Sequence, residues 1–520
     1  MLTFIKKHRF VFLFTCIYAC IIIFVSPFHE VWRDEVRALN YATEARSIPD
    51  LLKNLHNEGH PALWHLILYF GYNIFHTKVI LKIFNIIICI FAIFIFLLKS
   101  PFTKFQKALF IFGYYPLYGY SIINRSYALA MLLLFILCAL YKNRFEKILL
   151  FSVILFLFVN THVLSLIIGY GFFLSLLVEY IVSLFQKIYK KNTQHVKILT
   201  GLTIIILGMG ISFLQAYPDS RATFSRINSI ESKVLIQKNE QALLLPGASS
   251  ASAFGTTSAI FIVLIFWIIN IYLFSKKPFL FIIFFISNYL IELLFISFYK
   301  GNVWHYGVVF MLFVMFLWID KEIEEREWLK DLKAGIFFDR MNIFFKKYIS
   351  VFIYILFFVQ ASLSFPAIFQ DIFGQFSSSK KLANDIRSHK EYRDAILIGE
   401  PDEYIESLAY YLDNPIYIPR EKRFGKTVKW TIDNQQDLTL DELLLIVEDV
   451  QMKYKKPFFL IFSKELDARG PFLREITFGR TFFYNSDSLK NLLQQGKLFG
   501  RYKKAFGSES PENYYAYIIE

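Results

Sequence analysis

Val31-Trp32-Arg33-Asp34-Glu35-Val36-Arg37 is the stretch on which the reading of this chain turns. It follows closely on an apolar run over 10–26 and sets carboxylates and guanidinium groups side by side where the chain has just left hydrophobic sequence. Ionisable side chains next to a bilayer are costly and are kept where they are used. Further on, Glu58-Gly59-His60-Pro61-Ala62-Leu63-Trp64 carries the polar segment back into apolar sequence. Residues 27–78 therefore read as a first outer loop with juxtamembrane helices.

The surrounding composition excludes a soluble globular chain. Of 520 residues, 56% are hydrophobic, and apolar runs near the roughly 20 residues needed to cross a bilayer recur over most of the length. The 60 Phe residues are a compositional bias of the kind an AT-rich coding sequence produces, and carry no mechanism. A formal charge of +14 could point to nucleic acid, but Lys and Arg cluster in short loops between apolar runs, as the positive-inside bias requires. With no nucleic-acid motif present, no nucleic-acid partner is expected. Cys16, Cys20, Cys89 and Cys138 all lie inside apolar segments, so no disulfide framework or Cys metal site is expected outside the membrane. Lys6-Lys7-His8-Arg9 and the apolar run to Ser26 resemble a signal peptide, but Val25-Ser26-Pro27 is unsuitable for cleavage, and the segment reads as an uncleaved first helix.

Basic loops at 99–107, 142–147, 187–197 and 276–277 belong in the cytoplasm. That placement predicts eleven crossings near 10–26, 79–98, 108–123, 126–141, 148–160, 163–186, 198–216, 254–275, 278–297, 303–319 and 348–365. It requires 61–76, which carries His65, Tyr69, Tyr72 and Asn73, to lie against the bundle without crossing. Asp34, Glu58, Arg125, His162 and His305 then all fall on the extracytoplasmic side, with the large outer loop 217–253 and the tail. Residues 320–347, containing Glu322, Glu324, Glu325, Arg326 and Glu327, read as a cytoplasmic linker with a solvated helix face.

The chain thus divides into a membrane domain over 1–365 and an extracytoplasmic α/β domain over 366–520, periplasmic if the membrane is a bacterial inner one. In the tail, Ala395–Gly399, Ile416–Ile418, Phe458–Phe462 and Tyr514–Ile519 read as strands. Asp402 to Leu412 reads as a helix, and Thr439 with Glu442 forms a capping box opening another over Leu440–Gln451. The tail's pattern shows no Gly-rich phosphate loop or triad spacing, and the chain shows no internal repeat.

The Asp-Glu loop and its closing Glu58-x-His60-Pro61 resemble the first outer loop of the GT-C glycosyltransferases, above all the bacterial relatives of protein O-mannosyltransferases and the lipid A aminoarabinose transferase. Asn124-Arg125-Ser126-Tyr127, Thr161-His162 and Trp304-His305-Tyr306 resemble further family features, and together the motifs cover about 30–310. The resemblance implies a polytopic α-helical GT-C bundle that moves a sugar from a polyprenyl-phosphate carrier to an extracytoplasmic lipid, glycan or protein. It implies a bacterial inner-membrane location with the site facing the periplasm, and contact with membrane lipids. Asp34 is the implied general base, supported by Glu35. Arg125 and Tyr127 are implied at the carrier phosphate, where a planar guanidinium makes bidentate contacts at fixed charge. His60, His162 and His305 are implied as substrate-binding groups, and Arg221 as part of a loop closing over the substrates. In some relatives an acid before the proline and a distant His hold a divalent cation, which would make Glu58 and His162 metal ligands here. The chain departs from the pattern in having Ala62 for a second proline and Ile123-Asn124 where relatives carry an acid.

For each residue a plainer role competes: Asp34 and Glu35 as ion-paired helix-start acids, Arg125 as a snorkelling cation, His162 as a structural histidine, Trp304 and Tyr306 as interfacial anchors. Two other classes compete for the whole chain. An O-antigen polymerase or ligase would rely on Arg- and His-rich later loops. A transporter would show repeated halves and charges near mid-membrane, whereas the ionisable residues here lie mostly at helix ends.

Overall fold

The protein is described from a computed structural model covering residues 6–188, 191–222, 232–326, 335–434, 437–470, 472–476, 480–506 and 511–520. Among the described residues, seven helices are long and apolar enough to cross a membrane: Ile80–Lys99, Val163–Phe185, Asn192–Ala216, Ala259–Lys276, Pro278–Ser297, Val303–Glu322 and Asn342–Phe373. Three shorter apolar helices, Arg9–Val25, Tyr127–Tyr141 and Ile148–Val159, pack with them. The chain has the make-up of a polytopic membrane protein.

One expected span differs. The apolar run 108–123 forms a short helix, Lys104–Ile111, followed by the π-helical turn Tyr114–Gly119. The break falls at Gly113, where a Cβ would approach the Phe110 carbonyl oxygen to 2.9 Å. A second difference concerns the tail's start. Pro366 lies inside the helix Gly335–Phe373, so the α/β layer begins after Phe373, later than the expected boundary at 366. Proline is tolerated in such a helix because neighbouring elements cover the freed carbonyl. Helix Leu63–Phe75 has 13 residues and spans about 20 Å, short of the ~30 Å hydrocarbon core.

The Phe bias becomes the core. Phe96 packs against Phe110 at 4.1 Å, and Phe110 meets Phe357 at 5.3 Å and Phe310 at 6.4 Å. Val303–Glu322 is the central helix, buried along nearly its whole length, which explains why its sequence is hydrophobic all round. Val163–Phe185 and Pro278–Ser297 approach closely at Gly171, where a Cβ would meet the Ser287 hydroxyl at 2.7 Å.

In the C-terminal region one sheet runs in the order Ile396–Glu400, Phe458–Phe462, Tyr514–Ile519, Lys497–Tyr502, with the first pair parallel and the others antiparallel. Phe458–Phe462 is central and buried throughout, the reason it reads as an unbroken apolar run. The Thr439–Glu442 capping box opens Leu440–Tyr454 as expected. The expected Asp402–Leu412 helix is instead a 3-10 turn, Asp402–Ile405, and a single turn, Leu408–Tyr411. Its acids face buried partners, Asp402 and Glu403 meeting Arg480 and Glu406 meeting Arg37. Of the outer loop 217–253, residues 223–231 lie outside the described residues, as does 327–334 of the linker, including Glu327.

Candidate functional site

Helix Arg33–Glu44 begins directly after Trp32 and brings Asp34 to the edge of a cavity of about 1390 Å³. The cavity is also lined by Glu58 and His60 from the first loop, Arg125 and His162 from the next two turns, and His305 from the central helix. Residues up to 271 positions apart in sequence (305 − 34) thus converge. Arg125 Nη1 donates to Asp34 Oδ2 at 3.4 Å, and Arg33 Nε lies 3.6 Å from Oδ1. Charge-assisted pairs usually close to about 2.7–2.9 Å, so the Arg125 contact is loose and exchangeable. The Arg125 guanidinium also lies 5.3 Å from the Tyr127 ring centre. Tyr127 does not reach the lining; it lies between Tyr120, stacked at 5.2 Å, and His162, tilted at 4.9 Å.

The histidines form a row. His162 lies 5.3 Å from His60 and 5.8 Å from His305, ring centre to ring centre. His162 caps its own helix: Nδ1 accepts the Leu164 amide at 3.1 Å, so its proton sits on Nε2, which is buried without a partner. His60 has the other tautomer, because Nδ1 donates to the Glu58 carbonyl at 3.1 Å and Nε2 keeps the lone pair. Burial, then the neighbouring His60, His305 and Arg125, push the His162 ring below its ordinary range; burial and Arg125 do the same to His60. Both rings are neutral at neutral pH.

Glu35 and Glu58 have roles the sequence did not reveal. Glu35 is fully buried and outside the lining: it accepts from His29 Nε2 at 2.6 Å and from the Asn124 backbone and side-chain nitrogens at 2.9 and 2.7 Å. Glu58 accepts from Arg37 Nε at 2.6 Å, Arg37 Nη2 at 2.8 Å and the Tyr41 hydroxyl at 2.9 Å. The Glu58–His162 pair therefore does not fit a metal, since the carboxylate is committed to Arg37 and the His162 lone pair to a backbone amide. Among the described residues there is no group of three or more His, Cys, Asp and Glu side chains spaced to hold a metal ion. Arg221 lies away from the cavity: its side chain is 70% exposed and pairs with Asp219, while its carbonyl accepts the Ile432 amide.

The C-terminal region supplies a wall that sequence reasoning missed. Glu403, Glu406 and Trp430 line the same cavity. Arg37 bridges the two regions, donating to Glu406 at 2.5 Å and to the Val428 carbonyl at 2.7 Å, with the Trp430 ring 5.0 Å away. Nearly four hundred residues separate these partners, and no local pattern announces them. Comparison with family models, with curated proteins and with solved structures returned no match.

Two expected results follow from this packing. Arg37→Ala leaves Glu58 and Glu406 buried and uncompensated, a loss of about 3–5 kcal/mol. A lowered melting temperature and faster proteolysis near 400–430 should report it; an unchanged melting curve would refute the bridge. The second concerns pH. Burial lowers His65 to about 4. The unfolded ring binds its proton near pH 6.5, so below that the unfolded state holds more protons and stability falls as pH drops. His65 alone should remove about 2 kcal/mol between pH 6.5 and 5. The difference in melting temperature between wild type and His65→Gln, measured from pH 7 to 5, should change accordingly; a constant difference would contradict it.

Proposed function

We propose that the chain is an integral membrane glycosyltransferase that transfers a sugar from a polyprenyl-phosphate carrier to an extracytoplasmic acceptor, acting at the outer face of a bacterial inner membrane. The observation that carries this reading is the loose Asp34–Arg125 pair in a large cavity beside a row of neutral histidines. Transfer needs a base for the acceptor hydroxyl, fixed positive charge for the departing phosphate, and an apolar groove for the lipid. Leu363, Pro366, Ala367, Tyr114, Tyr118 and Trp304 line the cavity on the helix Gly335–Phe373 side and suit an isoprenoid chain.

In the resting site Arg125 is held by Asp34. The phosphodiester of the carrier competes for the guanidinium and leaves Asp34 free to face the acceptor. The acceptor oxygen then attacks the anomeric carbon, its proton passes to Asp34, and the bond from that carbon to the phosphate oxygen breaks. Charge on the phosphate rises from one to two, where Arg125 and the His162 Nε2 proton are suited to receive it. The C-terminal wall with Glu403, Glu406 and Trp430 adjoins the Asp34 side, which suits it to the acceptor.

The test supplies a polyprenyl-phosphate sugar and envelope acceptor fractions to the purified protein. Released polyprenyl phosphate together with a glycosylated acceptor is the expected result. Movement of the intact carrier across vesicles with no glycosidic bond cleaved would overturn the reading in favour of transport.

A further inference from the structure

We propose that His29 and Asp371 are positioning residues of the transfer site, holding Arg125 against Asp34 through Glu35 and Asn124. The inference rests on the transferase reading above and adds a network that the site motifs do not contain.

Its geometry is a continuous chain of hydrogen bonds from Asp371 to Asn124. Asp371 Oδ2 accepts from His29 Nδ1 at 2.8 Å, and His29 Nε2 donates to Glu35 Oε1 at 2.6 Å. The other oxygen of Glu35 accepts from both nitrogens of Asn124. Glu35 directly follows Asp34, and Asn124 directly precedes Arg125. The Glu35–Asn124 clamp and the Asp34–Arg125 pair are therefore adjacent rungs between the same two segments. Ionised carboxylates only accept hydrogen bonds, so a ring facing one on each nitrogen must donate from both. His29 is an imidazolium between two carboxylates, and all three side chains are fully buried.

The setting makes the arrangement rigid. Lys82 donates to the carbonyls of Ser26 and His29 at 2.7 Å, and the Phe376 ring closes the other side at 4.8 Å. Glu30, Lys380 and Tyr118 also border the group, and burial raises the Glu30 carboxyl to about 7. Burial alone would lower His29; the carboxylates of Asp371 and Glu35 outweigh it and hold the ring up to about 9. A buried polar chain that loses one member strands the others without water to replace it. Asp371 also lies one helical turn beyond Ala367, which lines the cavity. The chain thus joins the wall offered to the lipid with the pair offered to the reacting groups.

Two measurements test this. Nitrogen-15 NMR of histidine-labelled protein should show His29 doubly protonated at pH 8, without reference to activity; a neutral ring would overturn the proposal. Asp371→Asn keeps shape but removes one carboxylate charge, so the ring should lose its proton at lower pH. The alkaline limb of kcat, placed by His29 near pH 9, should then move down by a unit or more. Because small misplacements cost up to about 10²-fold, kcat should fall about 10- to 100-fold with KM for the donor little changed. Asp371→Glu should recover part of the rate. If Asp371→Asn does not fold, His29→Gln carries the same expected loss of kcat and should abolish the limb. A folded variant with wild-type kcat and an unmoved limb overturns this inference alone. A wild-type protein that cleaves no glycosidic bond overturns the transferase reading and this inference with it, even with the imidazolium signal intact.

Discussion

Asp34→Asn should lower the rate of sugar transfer by about 10²–10⁴-fold, the usual contribution of a general base. The amide keeps the size of the side chain and can still accept from Arg125, so the local structure should persist. What it loses is the capacity to take the acceptor proton. It also loses the charge that competes with the carrier for Arg125, which gives the variant a distinctive signature. Affinity for polyprenyl phosphate should be unchanged or tighter while single-turnover release of polyprenyl phosphate nearly stops. A fall in affinity of the same size as the fall in rate would mean that Asp34 serves binding, and activity within a few-fold of wild type would remove it from the mechanism.

Arg125→Ala should be the other large effect. On the transferase reading, charge accumulates on the leaving phosphate in the cavity, where removing one aligned donor typically costs about 10²–10³-fold in kcat. Arg125→Ala also leaves Asp34 with Arg33 at 3.6 Å as its remaining partner, so the base should be retained while the leaving group is not assisted. Arg125→Lys keeps the charge and loses the planar fork, and should fall between the two. Donors with better leaving groups, such as sugar esters of more acidic phosphates, should narrow the gap between Arg125→Ala and wild type. An equal gap for all donors would assign Arg125 to binding alone.

The candidate site was legible in the sequence where its residues sit at the ends of apolar runs. Asp34, Glu58, His60, Arg125, His162 and His305 could each be picked out because a polar group at such an end has few plain uses, and all six line one cavity. Glu35 and Glu58 show the limit. Their neighbours in sequence point to catalysis or metal binding, yet one grips Asn124 and the other Arg37. His29 gives no such signal, because a lone histidine after a helix carries no pattern and its partner Asp371 is 342 residues away. The broken segment at 108–123 is similar, since hydropathy registers an apolar stretch and is blind to the steric demand at Gly113.

By itself, the sequence determined the polytopic helical make-up, most helix positions and the central strands of the C-terminal sheet. These follow from local physics: apolar length against bilayer thickness, caps at helix starts, and continuous apolar runs in buried strands. Which charges are paired follows from chain packing alone. Arg37 with Glu406, His29 with Asp371, and the C-terminal wall of the cavity join segments far apart along the chain. A buried charge is stable only with a partner, and any of many acids in the sequence could supply one. Chain packing selects among them, and that selection leaves no trace in spacing or composition.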